Sequence, residues 1–212
     1  VAHLVAVCRV HEIRADAGAV GVTAIDKRAV EGPVKVRKLG LYADIQADRT
    51  HHGGRDKALY AYADEAARQW ADELGREVSP GLFGENLRTS GLDVDGAEIG
   101  EVWTIGAITV EVSAPRIPCA TFARRLGERR WVKRFTERGA PGAYLWVRRT
   151  GSISAGDEIA VVSKPGHGVS VSRWFTQTDP ADAETLRDSA AAGDFTMSAA
   201  LADAVAAVLR RG

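Results

Sequence analysis

The sequence predicts a mainly β fold with helices: a β-barrel over residues 1–164, followed by a small three-helix domain over residues 165–212. Three observations predict it. Short apolar runs bounded by glycine-rich turns fill the first two-thirds of the chain. Only two helical patterns interrupt them. Near Lys164–Gly168 the composition changes, and strand signals give way to capped, alanine-rich helical spacing.

The elements follow in order. Ala2–Val7 is an apolar, valine-rich run that reads as a strand. Pro33–Gly40 alternates apolar and basic residues, so Lys35, Arg37 and Lys38 belong to its exposed side. Asp64–Gly75 reads as a helix, with Asp64 as N-cap, an Ala66–Trp70–Leu74 stripe and Gly75 as its stop. The run from Glu85 to Gly91 predicts a strand ending at a glycine turn. Val102–Pro115 predicts two strands joined near Gly106, with Ile108, Val110 and Val112 on one face. Phe122–Gly139 has helical spacing, with Phe122, Leu126 and Trp131 roughly on one face and Gly127 as a break. Ala143–Arg149 and Asp157–Lys164 supply two more strands. The last three helices start near Val169, at the Asp179–Pro180 cap pair, and at Ser198. The last of them ends with Arg210 and Arg211 in its final turn.

Formal net charge is zero, from 28 basic and 28 acidic residues, which argues against general nucleic-acid or membrane-surface binding. Any basic region must be local and serve a small ligand. Two cysteines, Cys8 and Cys119, make no disulfide framework, and a reduced cytoplasmic setting is the expectation. No apolar run reaches bilayer length, and the final alanine-rich helix is short and interrupted by Asp203. A homodimer is permitted by the zero net charge and an apolar barrel rim.

The densest polar cluster is Gly40–Ala63, holding Asp44, Gln46, Asp48, His51, His52, Asp56 and Lys57 around Gly53 and Gly54. It reads either as a solvated turn or as a ligand loop. In the second case the paired glycines allow close backbone approach, and Arg55 and Lys57 hold an anion. Adjacent histidines on a strand point to opposite faces, so His51 and His52 are poorly placed to share one metal. Lys27 and Arg28 form a second basic pair, and Gly84–Glu85–Asn86 sits between a turn and a strand. Each of these alone is also consistent with an ordinary surface turn.

Cys119 follows two prolines and precedes a basic helical run. A free cysteine is most often buried and inert. At a helix start near Arg116 and Lys27, however, the surroundings favour the thiolate, a soft ligand for transition metals. Cys8, in an apolar strand, reads as core. A cysteine hydrolase with Cys119 as nucleophile and His52 as base stays open on composition. The chain has no P-loop, Rossmann or nucleophile-elbow motif.

Five blocks in order resemble the MOSC domain family, named for the C-terminal domain of molybdenum cofactor sulfurases. They are Asp26–Asp48, His51–Ala63, Phe83–Leu92, Ile99–Cys119 and Gly156–Val162. The order resembles stand-alone bacterial members with a three-helix extension. The resemblance implies a barrel-like domain with a pterin-based molybdenum cofactor (molybdopterin) in a basic cleft, and molybdenum coordinated by the Cys119 thiolate. It implies cofactor contacts from Thr23, Lys27, Arg28, Gln46, His52, Gly53, Gly54, Lys57, Asn86 and Arg116. Catalytic candidates are Cys119, His52, Asp56 and Glu85. The implied activity is oxidoreductase: reduction of N-hydroxylated nucleobases or hydroxylamines, with electrons from a separate flavoprotein or ferredoxin-type partner. The alternative is a sulfur carrier with a persulfide on Cys119. Three positions depart from the family pattern. Ala43 replaces the second glycine of Gly-Leu-x-Gly-Asp, and Ala29 and Arg55 stand where proline is common.

Overall fold

A computed structural model describes residues 1–47 and 54–211. Eleven strands and six α-helices alternate irregularly along the described chain. The long first strand β1 (His3–Ala15) turns back into β2 (Val22–Ala29), and the two pair antiparallel. The inner half of β1 is apolar and buried at Leu4, Ala6, Val7 and Cys8, whereas its outer half is exposed. β1 and β2 therefore begin as core and end as a projecting ribbon. In β3 (Val34–Arg37) Val34 and Val36 are buried and Lys35 and Arg37 exposed, as the alternation predicts. β4 (Gly40–Leu41) pairs with it.

The strand β5 (Leu59–Ala63) is buried at every residue. It is flanked by partners on both edges, so its sequence, Leu-Tyr-Ala-Tyr-Ala, carries no polar alternation. The helix α1 (Asp64–Leu74) then crosses to β6 (Leu87–Ser90), which runs parallel to β5. Asp64 is the first helical residue rather than the cap: Ala63 holds that position, and the Asp64 carboxylate pairs with Arg68 and Arg88 instead. Gly75 ends α1 in the left-handed conformation, as expected.

β7 (Val102–Ile105) and β8 (Ile108–Pro115) form the hairpin around Gly106. α2 (Ala120–Leu126) and α3 (Trp131–Arg138) are separated at Gly127, which is left-handed. β9 (Ala143–Arg149), β10 (Gly151–Ile153) and β11 (Ile159–Ser163) complete the strands. The main sheet has eight strands in the order β11-β7-β8-β9-β5-β6-β1-β2, and β10, β3 and β4 form a second sheet.

The expected barrel is met in part. A single bridge joins His3 to Glu158, Leu4 N–H donates to Asp157 O at 2.9 Å, and Ile159 N–H donates to Ala2 O at 2.8 Å. The sheet thus curls until its β1 side touches the approach to β11, but no continuous ladder closes it among the described residues. The architecture is mixed α/β, with an eight-stranded main sheet and a C-terminal helical region.

That region comprises α4 (Val171–Gln177), α5 (Pro180–Ala192) and α6 (Ala199–Leu209). Ser170, Asp179 and Ser198 cap them with their side chains, as the sequence predicts for Asp179 and Ser198. Arg210 and Arg211 fall just beyond α6 rather than in its last turn. Trp174, Ala183, Leu186, Leu201 and Val205 are buried in the same apolar cluster as the sheet. Among the described residues no helix is long and apolar enough to cross a membrane.

Candidate functional site

A cavity of about 260 Å³ opens between β2, the turn before β6 and the segment from Arg116 to Thr121. Thr23, Ile25 and Lys27 line it from alternate positions of β2. Gly84 is left-handed, and a Cβ there would stand 2.9 Å from Ile25 Cγ1, so glycine lets this turn close against β2. Gly81 packs more tightly still: its Cβ would fall 2.4 Å from the Lys27 carbonyl oxygen.

Lys27 is buried and ion-paired with Asp44. Asp44 in turn accepts from Asn86 Nδ2 at 2.8 Å and from Val10 N–H at 2.8 Å. Asn86 Oδ1 accepts from Tyr60 N–H at 3.2 Å and Nδ2 donates to Cys8 O at 3.2 Å, so this amide ties β1 to β5 and, through Asp44, reaches Lys27 of β2. The charge of Lys27 is therefore balanced locally. Gln46 reaches across to donate to the Lys57 carbonyl at 2.9 Å. Lys57 lies with its ammonium 5.6 Å from the Tyr144 ring centre.

Arg116 differs from Lys27. It is only 5% exposed, its guanidinium lies 3.7 Å from the Phe122 ring centre, and no carboxylate pairs with it among the described residues. Among the described residues its Nη1 has no hydrogen-bond partner. A buried donor on a charged group left unsatisfied costs about 1–3 kcal/mol or more, so a cation held this way suits an anion that the protein itself does not supply. Burial pushes the Tyr144 hydroxyl above its usual range, and the nearby positive charge of Arg116 opposes the rise.

Cys119 lines the cavity, half-buried, at the N-cap position just before α2; its carbonyl accepts from Ala123 N–H at 3.1 Å. α2 is clamped to the β1–β2 ribbon. Arg124 holds Asp16 through two contacts of 2.8 and 2.6 Å, and Thr121 adds a third of 3.0 Å. Arg125 Nη2 meets the fully buried Asp26 at 2.6 Å, and Arg14 approaches the same carboxylate at 3.0 Å. Below, Phe122 packs edge-on against Phe83, Trp131 and Phe135 at 5.0 to 5.4 Å. The thiol is thus carried on a segment fixed from both sides.

The MOSC domain family model matches residues 48–160, more than half of the chain. The chain belongs to the MOSC domain family. It is 35% identical over 149 residues to YflK of Bacillus subtilis, covering 70% of this chain and 67% of that protein. It is 32% identical over 155 residues to a Gibberella moniliformis protein named Reductase, of which it spans only 28%. The crystal structure of YiiM from Geobacillus stearothermophilus superposes with a TM-score of 0.79 at 25% identity, covering 99% of this chain and all of that one. The chain is therefore similar to stand-alone MOSC proteins, and the likeness extends through the C-terminal helices. MOSC domains are associated with the molybdenum cofactor.

Within this MOSC domain, seven of the residues singled out in the sequence meet at one cavity: Thr23, Lys27, Gln46, Lys57, Asn86, Arg116 and Cys119. Others lie apart. Glu85 is wholly buried beneath the turn, accepting from Gly81 and Phe83 N–H at 2.8 and 3.0 Å and pairing with buried Arg88. That carboxylate pins the turn that carries Gly84 and Asn86, and it does not reach the cavity surface. Asp56 accepts from Trp146 Nε1 at 2.7 Å, outside the cavity lining. Arg28 is 56% exposed at its side chain and leans toward Asp26 at 3.7 Å. Gly54, with φ of 89°, is not part of the lining either. His52 and Gly53, with Asp48 and His51, fall outside the described residues. Cys8 is fully buried, and burial pushes its thiol well up, in keeping with a core residue.

Tyr60 and Tyr144 line the cavity without having been singled out in the sequence. Asp44 was part of the Gly40–Ala63 polar cluster there, and its role in the structure is as the partner of Lys27. The tyrosines sit on buried strands and read as core aromatics.

Proposed function

We propose that the cavity beside Cys119 holds a pterin-based molybdenum cofactor and that the protein reduces N-hydroxylated compounds. The observation that carries this reading is Arg116: a buried guanidinium whose Nη1 has no partner among the described residues, on the same wall as a cysteine. The donor set fits the group. A pterin cofactor brings a phosphate for Arg116 and Lys57, and its metal takes a soft ligand such as the Cys119 sulfur. When bound, the cofactor supplies two-electron chemistry that removes an oxygen atom.

The chain's own residues orient and protonate. Thr23 and Gln46 offer neutral donors along the wall, and the Lys27–Asp44–Asn86 unit holds β2 in place without adding net charge. In the overall reaction an N–O bond breaks, two electrons and two protons enter, and an amine and water leave. Lys57 and Tyr144 are proton-bearing groups at the cavity, and burial keeps the Tyr144 proton in place. The electrons come from a separate flavoprotein or ferredoxin-type reductase, since two cysteines cannot furnish a four-thiolate iron–sulfur site within these 212 residues. The name Reductase on the Gibberella relative supports the reaction type.

Metal content tests this reading. Protein purified from cells that make the cofactor should carry molybdenum. Cys119→Ser and Arg116→Met should each lower it at least about tenfold, the loss of a charge-assisted contact of about 1.5–3 kcal/mol for Arg116. Arg116→Met should leave the melting temperature of the cofactor-free chain level or higher, because it replaces an unsatisfied buried charge by an apolar chain of similar length. Wild-type protein without molybdenum overturns the reading, and a persulfide found on Cys119 in that protein would redirect it to sulfur transfer.

A further inference from the structure

A second cavity, about 150 Å³, lies on the other side of Lys57 and Tyr144, which line both. Apart from those two, its walls are apolar: Pro115 and Ile117 on one side, and Trp174, Ala200 and Ala204 from α4 and α6 on the other. The residues from Pro115 to Cys119 explain the division. Arg116 and Cys119 line the first cavity, while Pro115 and Ile117 line the second, so one extended segment serves both. Ile117 is 60% exposed and forms an apolar rim at the opening of this cavity. Ala200 and Ala204 stand one helical turn apart on the same face of α6, and their small side chains leave the space open.

We infer that this second cavity is the seat of the substrate's body, and that the body is a flat, uncharged ring whose N-hydroxyl group points past Lys57 and Tyr144 toward Cys119. The inference rests on the function proposed above. The space suffices for a single six-membered ring, because an apolar cavity of about 150 Å³ accommodates benzene. The lining argues for an uncharged one: among the described residues the only charged side chain is Lys57, at the dividing wall, and an unpaired charge set against Trp174 and Leu201 would lose its hydration without compensation. The C-terminal helices thereby acquire a role in selectivity, with Trp174 as the platform and the two alanines as the size limit.

Benzamidoxime, a single-ring N-hydroxylated compound, and benzamide, its uncharged relative without the N-hydroxyl, are suitable probes with the full cofactor-free chain. In heteronuclear NMR titrations both should shift the Trp174 indole and the Ala200 and Ala204 amides. Ala204→Phe, which fills the cavity, should weaken both at least tenfold. Ile117→Lys, at an exposed position that does not threaten folding, should weaken them too and decides the matter if Ala204→Phe fails to fold. Shifts confined to other residues, or affinities unchanged in both variants, overturn the inference. Failure of the reductase reading would look different. The probes would bind and the variants would weaken them, yet molybdenum-loaded protein given an artificial electron donor would leave benzamidoxime unreduced. Conversely, reduction of benzamidoxime with the same KM in wild type and Ala204→Phe would leave the reaction standing and remove the pocket from it.

Discussion

Ala43 occupies the left-handed region, with φ of 60°, at the position where the MOSC pattern favours glycine. A left-handed alanine costs roughly 1–2 kcal/mol, against a smaller entropic cost for glycine in the unfolded chain. Ala43→Gly should therefore raise stability by about 1 kcal/mol, read as a higher urea midpoint at unchanged slope. An unchanged or lower midpoint would contradict the strain argument. The loop keeps its geometry with alanine because the next residue, Asp44, is anchored by Lys27, Asn86 and Val10. The same residues show how far the site could be read from sequence. Cys119, Arg116, Lys57 and Lys27 were legible by chemical type and block order, since cations and a thiol beside turns are conspicuous. The partners were not. Whether a carboxylate faces a cavity or a backbone turn depends on strand register and loop path, which is why Glu85 and Asp56 attract attention in the sequence yet satisfy Gly81, Phe83 and Trp146 in the fold.

α2 has only seven residues and no side-chain N-cap, so its position depends on Asp16 and Asp26 reaching across from the ribbon. The Arg124 guanidinium holds the Asp16 carboxyl well below the usual carboxylate range. A carboxyl depressed in the folded state contributes stability above its unfolded value of about 3.8, and loses it as pH falls through the folded value. Asp16→Asn should thus lower the melting temperature by a few degrees at pH 7, and the gap from wild type should close as pH falls below 4. The same substitution should speed iodoacetamide labelling of Cys119 severalfold, because the thiol rides on the loosened segment. Equal labelling rates would detach Cys119 from the clamp. The elements themselves were legible where one face meets solvent, as in β3, or where glycine punctuates, as at Gly106 and Gly127. β5 was not, because partners on both edges and packing on both faces erase its alternation. β2 was hidden for the opposite reason: it buries Asp26 and Lys27, which pattern reading assigns to a surface turn.

At the scale of the whole molecule, the residues from Asp95 to Ile99 stitch the C-terminal helices to the sheet. Ser172 N–H donates to the Asp95 carbonyl at 2.8 Å, Val171 N–H to Ala97 O at 2.9 Å, and Ile99 N–H to Val169 O at 3.2 Å. The Asp95 carboxylate accepts from Gly142 N–H, just before β9, at 2.8 Å. Burial pushes the Asp95 carboxyl up to about 6, with the neighbouring Asp93 adding to the rise and the Gly142 bond opposing it. A carboxyl raised in the folded state stabilises fully below its unfolded value of 3.8, and that contribution drains away as pH rises through 6. Asp95→Asn cannot titrate and retains an oxygen for Gly142. It should match wild type near pH 4 and exceed it at pH 7, by about 2 kcal/mol after allowing for partial exposure. Because Asp95 sits where sheet and helices join, the gain should appear in the single unfolding transition of both parts. Urea unfolding at pH 4, 5.5 and 7, followed by the fluorescence of Trp174 in α4 and Trp103 in β7, tests this. A stability gap independent of pH would show that the Asp95 charge is not buried against its neighbours, and two separated transitions would show that the seam at Asp95 does not couple the helices to the sheet.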